Sequence, residues 1–88
     1  MNLSSHAAER QQQRGIPTEV LEVLLEFGEV RYRGGAEVVF MTRRGRAEAR
    51  SRLGGKTYSR VADRLGVYAV QADGTVVTCA KRLRRLKF

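Results

Sequence analysis

His6 is the only histidine in this 88-residue chain, and Arg10 and Arg14 follow it at i+4 and i+8. On a helix that spacing stacks the three side chains on one flank. Histidine alone titrates near neutral pH without perturbation, so His6 is the only ready general acid or base. Arg10, one turn on, is spaced to hold a phosphate while His6 moves a proton. Phosphodiester cleavage by a neighbouring hydroxyl needs such a set: a base, an acid, and cations for the developing charge. No second titrating partner is evident, because Glu9 points about 100° off the His6 flank. The plainer alternative for His6 is a capping or packing residue near a helix start. Arg10 and Arg14 repel mildly at i, i+4, which calls for either a bound anion or ion pairs with Glu19, Glu22, Glu26 and Glu29.

The charge is lopsided. Residues 1–44 carry six Arg and six Glu, whereas residues 45–88 carry eleven Lys/Arg against Glu48, Asp63 and Asp73. The whole net charge of +8 therefore lies in the second half. A one-sided positive field is the footprint of a polyanion partner, either nucleic acid or an acidic protein. It has two parts. Arg43, Arg44, Arg46, Arg50, Arg52 and Lys56 form the first, rich in Arg, which suits bidentate phosphate contact. Lys81, Arg82, Arg84, Arg85 and Lys87 form the second. The first part is a phosphate-binding cluster or a solvated face, and the second a backbone clamp or a solubilising end. Tyr58 sits at a core-like helical position and can alternatively stack on a base.

Composition narrows the class. At this length one domain is expected, with one small core and no deep enclosed cavity. A single cysteine, Cys79, allows no internal disulfide and suggests a reducing compartment. One His and one Cys make poor zinc ligands on their own, so neither metal nor cofactor is expected. The start of the chain lacks a basic segment followed by an apolar one, and no apolar run is long enough to span a bilayer. These features point to the cytoplasm.

Along the chain, Ser4 or Ser5 caps a first helix reaching about Arg14, and Gly15 leaves it. Pro17-Thr18 opens a second helix with Val20, Leu21, Leu24, Leu25 and Phe27 as its buried stripe, and Gly28 ends it. Two β-rich runs across Gly34-Gly35 read as a hairpin. A basic loop or short helix is expected around Arg46–Leu53, with Gly45, Gly54 and Gly55 as breaks. Thr57 caps a helix carrying Tyr58, Val61, Ala62 and Leu65. Val67–Ala72 and Thr75–Ala80 form a second hairpin across Asp73-Gly74, with Cys79 and Val77 alternating as core positions. The expected fold is α+β: two N-terminal helices on a four-stranded antiparallel sheet, with an extra helix between the two hairpins.

Ser5-His6-Ala7-x-Glu9-Arg10-x-x-x-Arg14-Gly15-Ile16, with the closing Asp73-Gly74-Thr75-Val76-Val77-Thr78, resembles a family of small bacterial and phage-borne domains of unknown function. Its mark is His-x3-Arg-x3-Arg-Gly-Ile. That family is similar to RelE/ParE-like toxins, within the barnase–colicin–RelE class of metal-independent ribonuclease folds. The resemblance covers residues 4–80 and leaves 81–88 as a basic tail. The chain departs from the family at Gln11 and in the insert at 43–56. The resemblance implies an endoribonuclease with His6 and Arg10 as catalytic residues. Arg14, Arg43, Arg44, Arg46, Arg50, Arg52, Lys81, Arg82, Arg84 and Arg85 would bind nucleic acid, RNA before DNA. The alternatives are a nucleic-acid-binding module without turnover, or a domain docking an acidic antitoxin-like partner. Neither the reading nor the resemblance assigns an oligomeric state.

Overall fold

The computed structural model describes residues 1–82; the expected contacts from Arg84 and Arg85 fall outside the described residues. The class is α+β, with four helices and five strands in the order β1 (Asn2–Leu3), α1 (Ser5–Gln13), α2 (Thr18–Phe27), β2 (Glu29–Arg33), β3 (Ala36–Phe40), α3 (Arg43–Leu53), α4 (Gly55–Ala62), β4 (Val67–Ala72) and β5 (Thr75–Lys81). The strands form one sheet ordered β1-β5-β4-β3-β2. Both hairpins turn as their dipeptides require. Gly34 and Gly35 have φ of 59° and 81°, and Asp73 and Gly74 have 50° and 78°. These are the φ > 0 pairs of type I′ loops, whose twist matches that of the flanking strands.

The sheet differs from expectation in one strand. It is mixed rather than four-stranded antiparallel, because β1 pairs parallel to β5 with Asn2 opposite Thr75 and Leu3 opposite Val76. Two residues carry no readable alternation, so only the docking of the chain start reveals this strand. Ser4 holds the junction. Its N–H donates to the Val76 carbonyl at 2.9 Å, its Oγ donates to the Val77 carbonyl at 3.2 Å, and the same Oγ accepts from the Ala7 N–H at 3.0 Å. One serine thus caps α1 and fastens it to β5.

A bulge corrects the Cys79–Val77 alternation. Thr78 faces Val70 and Val76 faces Gln71, so Val77 is the extra residue of β5. The inserted residue shifts the phase, and Val76 and Cys79 become the core positions at 2% and 0% exposure. They join Val39, Met41, Val67 and Ala69 beneath α1 and α2, which contribute Ala7, Val20, Leu21, Leu24 and Phe27. Tyr58 packs half-buried against the same cluster, a core placement.

The segment between the hairpins holds two helices where one was expected. Gly45 lies inside α3 instead of breaking it, and α4 begins at Gly55, with Gly54 and not Thr57 as its cap residue. Thr42 caps α3 by accepting from the Gly45 N–H at 3.0 Å. Gly45 and Ala49 are the only buried residues of α3. This i, i+4 pair of small residues lets an Arg-rich helix approach α2 closely while its long side chains stay in water. A Cβ on Gly45 would stand 2.5 Å from the Phe27 carbonyl oxygen. Glycine is therefore selected by contact, which overrides its poor helix propensity.

Candidate nucleic-acid interface

Sheet order decides whether the two basic segments meet. Phe40 at the end of β3 faces Tyr68, the second residue of β4, and Val67 faces Lys81 at the end of β5. The end of β3, the start of β4 and the end of β5 therefore share one end of the sheet. Neighbouring strands are about 4.8 Å apart, so Arg43 and Lys81 emerge from strands only about 10 Å apart. Arg82 ties them together, its Nη1 donating to the Met41 carbonyl at 3.0 Å and its N–H to the Gly66 carbonyl at 2.8 Å. Its guanidinium carbon lies 5.4 Å from the centroid of the Phe40 ring. Arg82 is thus committed to holding the basic end in shape.

Helix α1 brings a further cation to the same end. It runs along β5 in the strand's own direction: Cys79 Sγ lies 3.8 Å from the Ala7 carbonyl near its start, and Gly15–Pro17 beyond its end meet Val67 and Lys81. There a cleft of about 380 Å³ is lined by Gly15, Ile16, Pro17, Asp63, Arg64, Gly66, Val67 and Lys81. Its polar lining is one acid against two cations, with Arg14 adjacent in sequence. Arg14, Arg43, Arg44, Arg64 and Lys81 therefore share this end, and all but Arg64 were candidates from sequence. Arg64 was hidden by its neighbour Asp63 and by its place in the turn after a helix.

The remaining candidates are placed elsewhere or engaged structurally. Arg46 Nη1 donates to the Ala62 carbonyl at 3.0 Å, bolting α3 to α4. Arg50 and Arg52 project from the last turn of α3, and Arg52 sits 3.9 Å from Glu48. The expected pairing of Arg10 and Arg14 with the Glu edge is not formed among the described residues. Glu19 instead accepts from Arg60 at 2.8 Å, and Glu29 pairs with Arg31 at 3.1 Å. The side-chain bond from α1 toward α2 comes instead from Gln11, whose Nε2 donates to Thr18 Oγ1 at 2.9 Å.

His6 and Arg10 do form the flank that the spacing predicts. Arg10 Nε donates to His6 Nε2 at 3.3 Å, and Arg10 Nη1 donates to Gln13 Oε1 at 3.3 Å. In the first bond Nε2 is the acceptor, which leaves Nδ1 facing away from Arg10. His6 is exposed and is not packed against α2. It does not line the cleft, and Arg14 lies eight helical steps on, a rise of about 12 Å.

Cys79 is fully buried, and burial pushes its thiol above the ordinary range, with Arg14 pulling weakly the other way. Its protonated form is the folded one. That contribution is complete below the unfolded-state value and is lost as pH rises past it toward the folded value. Native protein at neutral pH should accordingly resist thiol alkylation, reacting at the rate of unfolding and rapidly in denaturant. Fast labelling of the native chain would contradict this placement.

Comparison with known protein families, curated proteins and solved structures finds no match to this chain. No helix among the described residues is long and apolar enough to cross a membrane, and no cluster of potential metal ligands occurs among them.

Proposed function

We propose that this domain binds RNA at the basic end of its sheet. The observation that carries the reading is the gathering of Arg14, Arg43, Arg44, Arg64 and Lys81 from four separate segments at one end of the sheet, where Arg64 and Lys81 line the cleft. Scattered cations would merely keep the protein apart from its neighbours, whereas a cluster raises the local concentration of a polyanion. Five phosphate contacts predict that log K falls with log salt at a slope of about 3.5–4.5. Titrating a labelled single-stranded RNA across a salt series measures it. A slope below about 1 would remove phosphate contact as the basis of binding.

The His6–Arg10 hydrogen bond favours a second, catalytic reading of RelE/ParE-like type. An RNA strand clamped at the basic end and running back along α1 reaches Arg10 and then His6. His6 Nε2 accepts the 2′-hydroxyl proton, the 2′-oxygen forms its bond to phosphorus, and the 5′-oxygen leaves, taking a proton from water. Arg10 releases Nε2 and neutralises the charge on the phosphoryl oxygens. The products are a 2′,3′-cyclic phosphate and a 5′-hydroxyl. Incubation with RNA in excess chelator should yield these ends, and His6→Ala should abolish them while leaving binding unchanged. Intact RNA at high protein concentration leaves the binding function alone. An acidic antitoxin-like protein would compete for the same cations, so its addition should displace RNA.

A further inference from the structure

We propose that β2 is a self-association edge, through which two copies of this chain join their sheets across a two-fold axis at Arg31. β2 is the outer strand of the sheet, and all five of its residues are exposed. It pairs with β3 without a register shift and contains no proline. An edge of this kind, without a bulge and with no other strand or helix among the described residues laid over it, is a template for another strand.

The hairpin register shows which backbone groups are available. Arg33 and Ala36 flank the two-residue turn, so the pairs Arg33–Ala36, Arg31–Val38 and Glu29–Phe40 exchange hydrogen bonds across β2 and β3. By alternation, the N–H and C=O groups of Val30 and Tyr32 point away from the sheet. Antiparallel pairing centred on Arg31 puts Val30 opposite Tyr32 of the second copy, and Tyr32 opposite its Val30. Those two residues are the ones with outward backbone groups, so four backbone hydrogen bonds form with no unmatched donor.

The side chains are self-complementary in the same register. Val30 and Tyr32 lie on the helix-bearing face, opposite Val39 and Glu37 of β3. They are large apolar side chains left 40% and 80% exposed. Pairing brings four of them together, in the aromatic–β-branched combination that stabilises antiparallel strands. On the other face, Glu29 falls opposite Arg33 of the second copy, twice by symmetry. The two Arg31 side chains meet at the axis, a repulsive contact. Each enters it already held by its own Glu29 at 3.1 Å. The axis is normal to the sheet, so both helix layers lie on one side and the two basic ends point to opposite ends of a ten-stranded sheet. A contact five residues long belongs to the small, weak class of interfaces.

The test is sedimentation equilibrium on nucleic-acid-free protein from about 10 µM to about 1 mM, in salt high enough to screen the net charge. The expected result is a mass rising with concentration from 9.9 kDa toward twice that value. Tyr32→Lys should weaken association at least about ten-fold. Since Tyr32 is 80% exposed, its thermal transition should be unchanged. Arg31→Cys should cross-link to a covalent dimer on mild oxidation, because opposed residues of a non-hydrogen-bonded pair sit at disulfide distance. Arg44→Cys, on α3, should not. Wild-type protein that stays monomeric to about 1 mM, a dimer indifferent to Tyr32→Lys, or equal cross-linking of the two cysteine variants would each overturn the proposal.

Discussion

Gly45→Ala is expected to destabilise the protein by about 2 kcal/mol, lowering its melting temperature by about 10 °C. Two effects oppose each other. Alanine inside a helix gains up to about 1 kcal/mol over glycine from propensity alone. Against this, the new methyl would stand 2.5 Å from the Phe27 carbonyl oxygen and 2.8 Å from Met41 Sδ. The methionine can yield, but the carbonyl belongs to the backbone at the end of α2 and cannot. Helix α3 must then move outward, loosening Ala49 and the α2–α3 contact, and the clash wins. Gly55→Ala is the matched control: it too lies in a helix, and a Cβ there meets nothing within 4 Å. It should leave stability unchanged or raise it. Thermal denaturation followed by circular dichroism distinguishes the two, and a Gly45→Ala protein as stable as the parent would refute the close approach of α3 to α2.

The triple reversal Arg43→Glu, Arg44→Glu, Lys81→Glu is expected to reduce RNA affinity by about a thousand-fold or more at low salt. All three residues are exposed, so the change falls on the field and not on the core. Each reversal deletes a phosphate contact and adds a repulsive charge to the same end of the sheet. The salt slope should fall by about 2–3 as three contacts disappear. Reversing Arg50 and Arg52, at the far end of α3, should cost much less. Equal losses from the two sets would mean that net charge alone drives binding. Wild-type thermal stability of both variants, measured in parallel, separates lost contacts from lost folding.

Arg46 and Arg82 show where a sequence reading of basic residues reaches its limit. By composition they are indistinguishable from Arg43 and Arg44. In the fold each gives a guanidinium hydrogen bond to a backbone carbonyl, of Ala62 and Met41 respectively. Arginine serves both purposes, since its fork of donors fits a carbonyl as well as a phosphate. Only the proximity of a backbone carbonyl decides between them. Arg64 is the converse case, a basic side chain at the cleft whose local context carried no signal.

Local chemistry determined much of this protein directly. Both hairpin turns, the Ser4 cap, the His6–Arg10 flank and the stripe of α2 follow from spacing and backbone preference, except that Leu25 is only half-buried and Val23 takes a core place in that stripe. Each depends on residues within a few positions of one another. What tertiary structure decided was long-range: β1 beside β5, the bulge at Val77, the helical state of residues 43–53, and the placing of Arg43, Arg44 and Lys81 at one end of the sheet. A two-residue strand and a glycine-containing basic helix gain their stability from partners distant in the chain, which no local period encodes. Whether His6 and the basic end belong to one surface was likewise a matter of direction. Helix α1 runs along β5 so that Arg14 stands one residue before the cleft-lining Gly15, while His6 stays about 12 Å behind it.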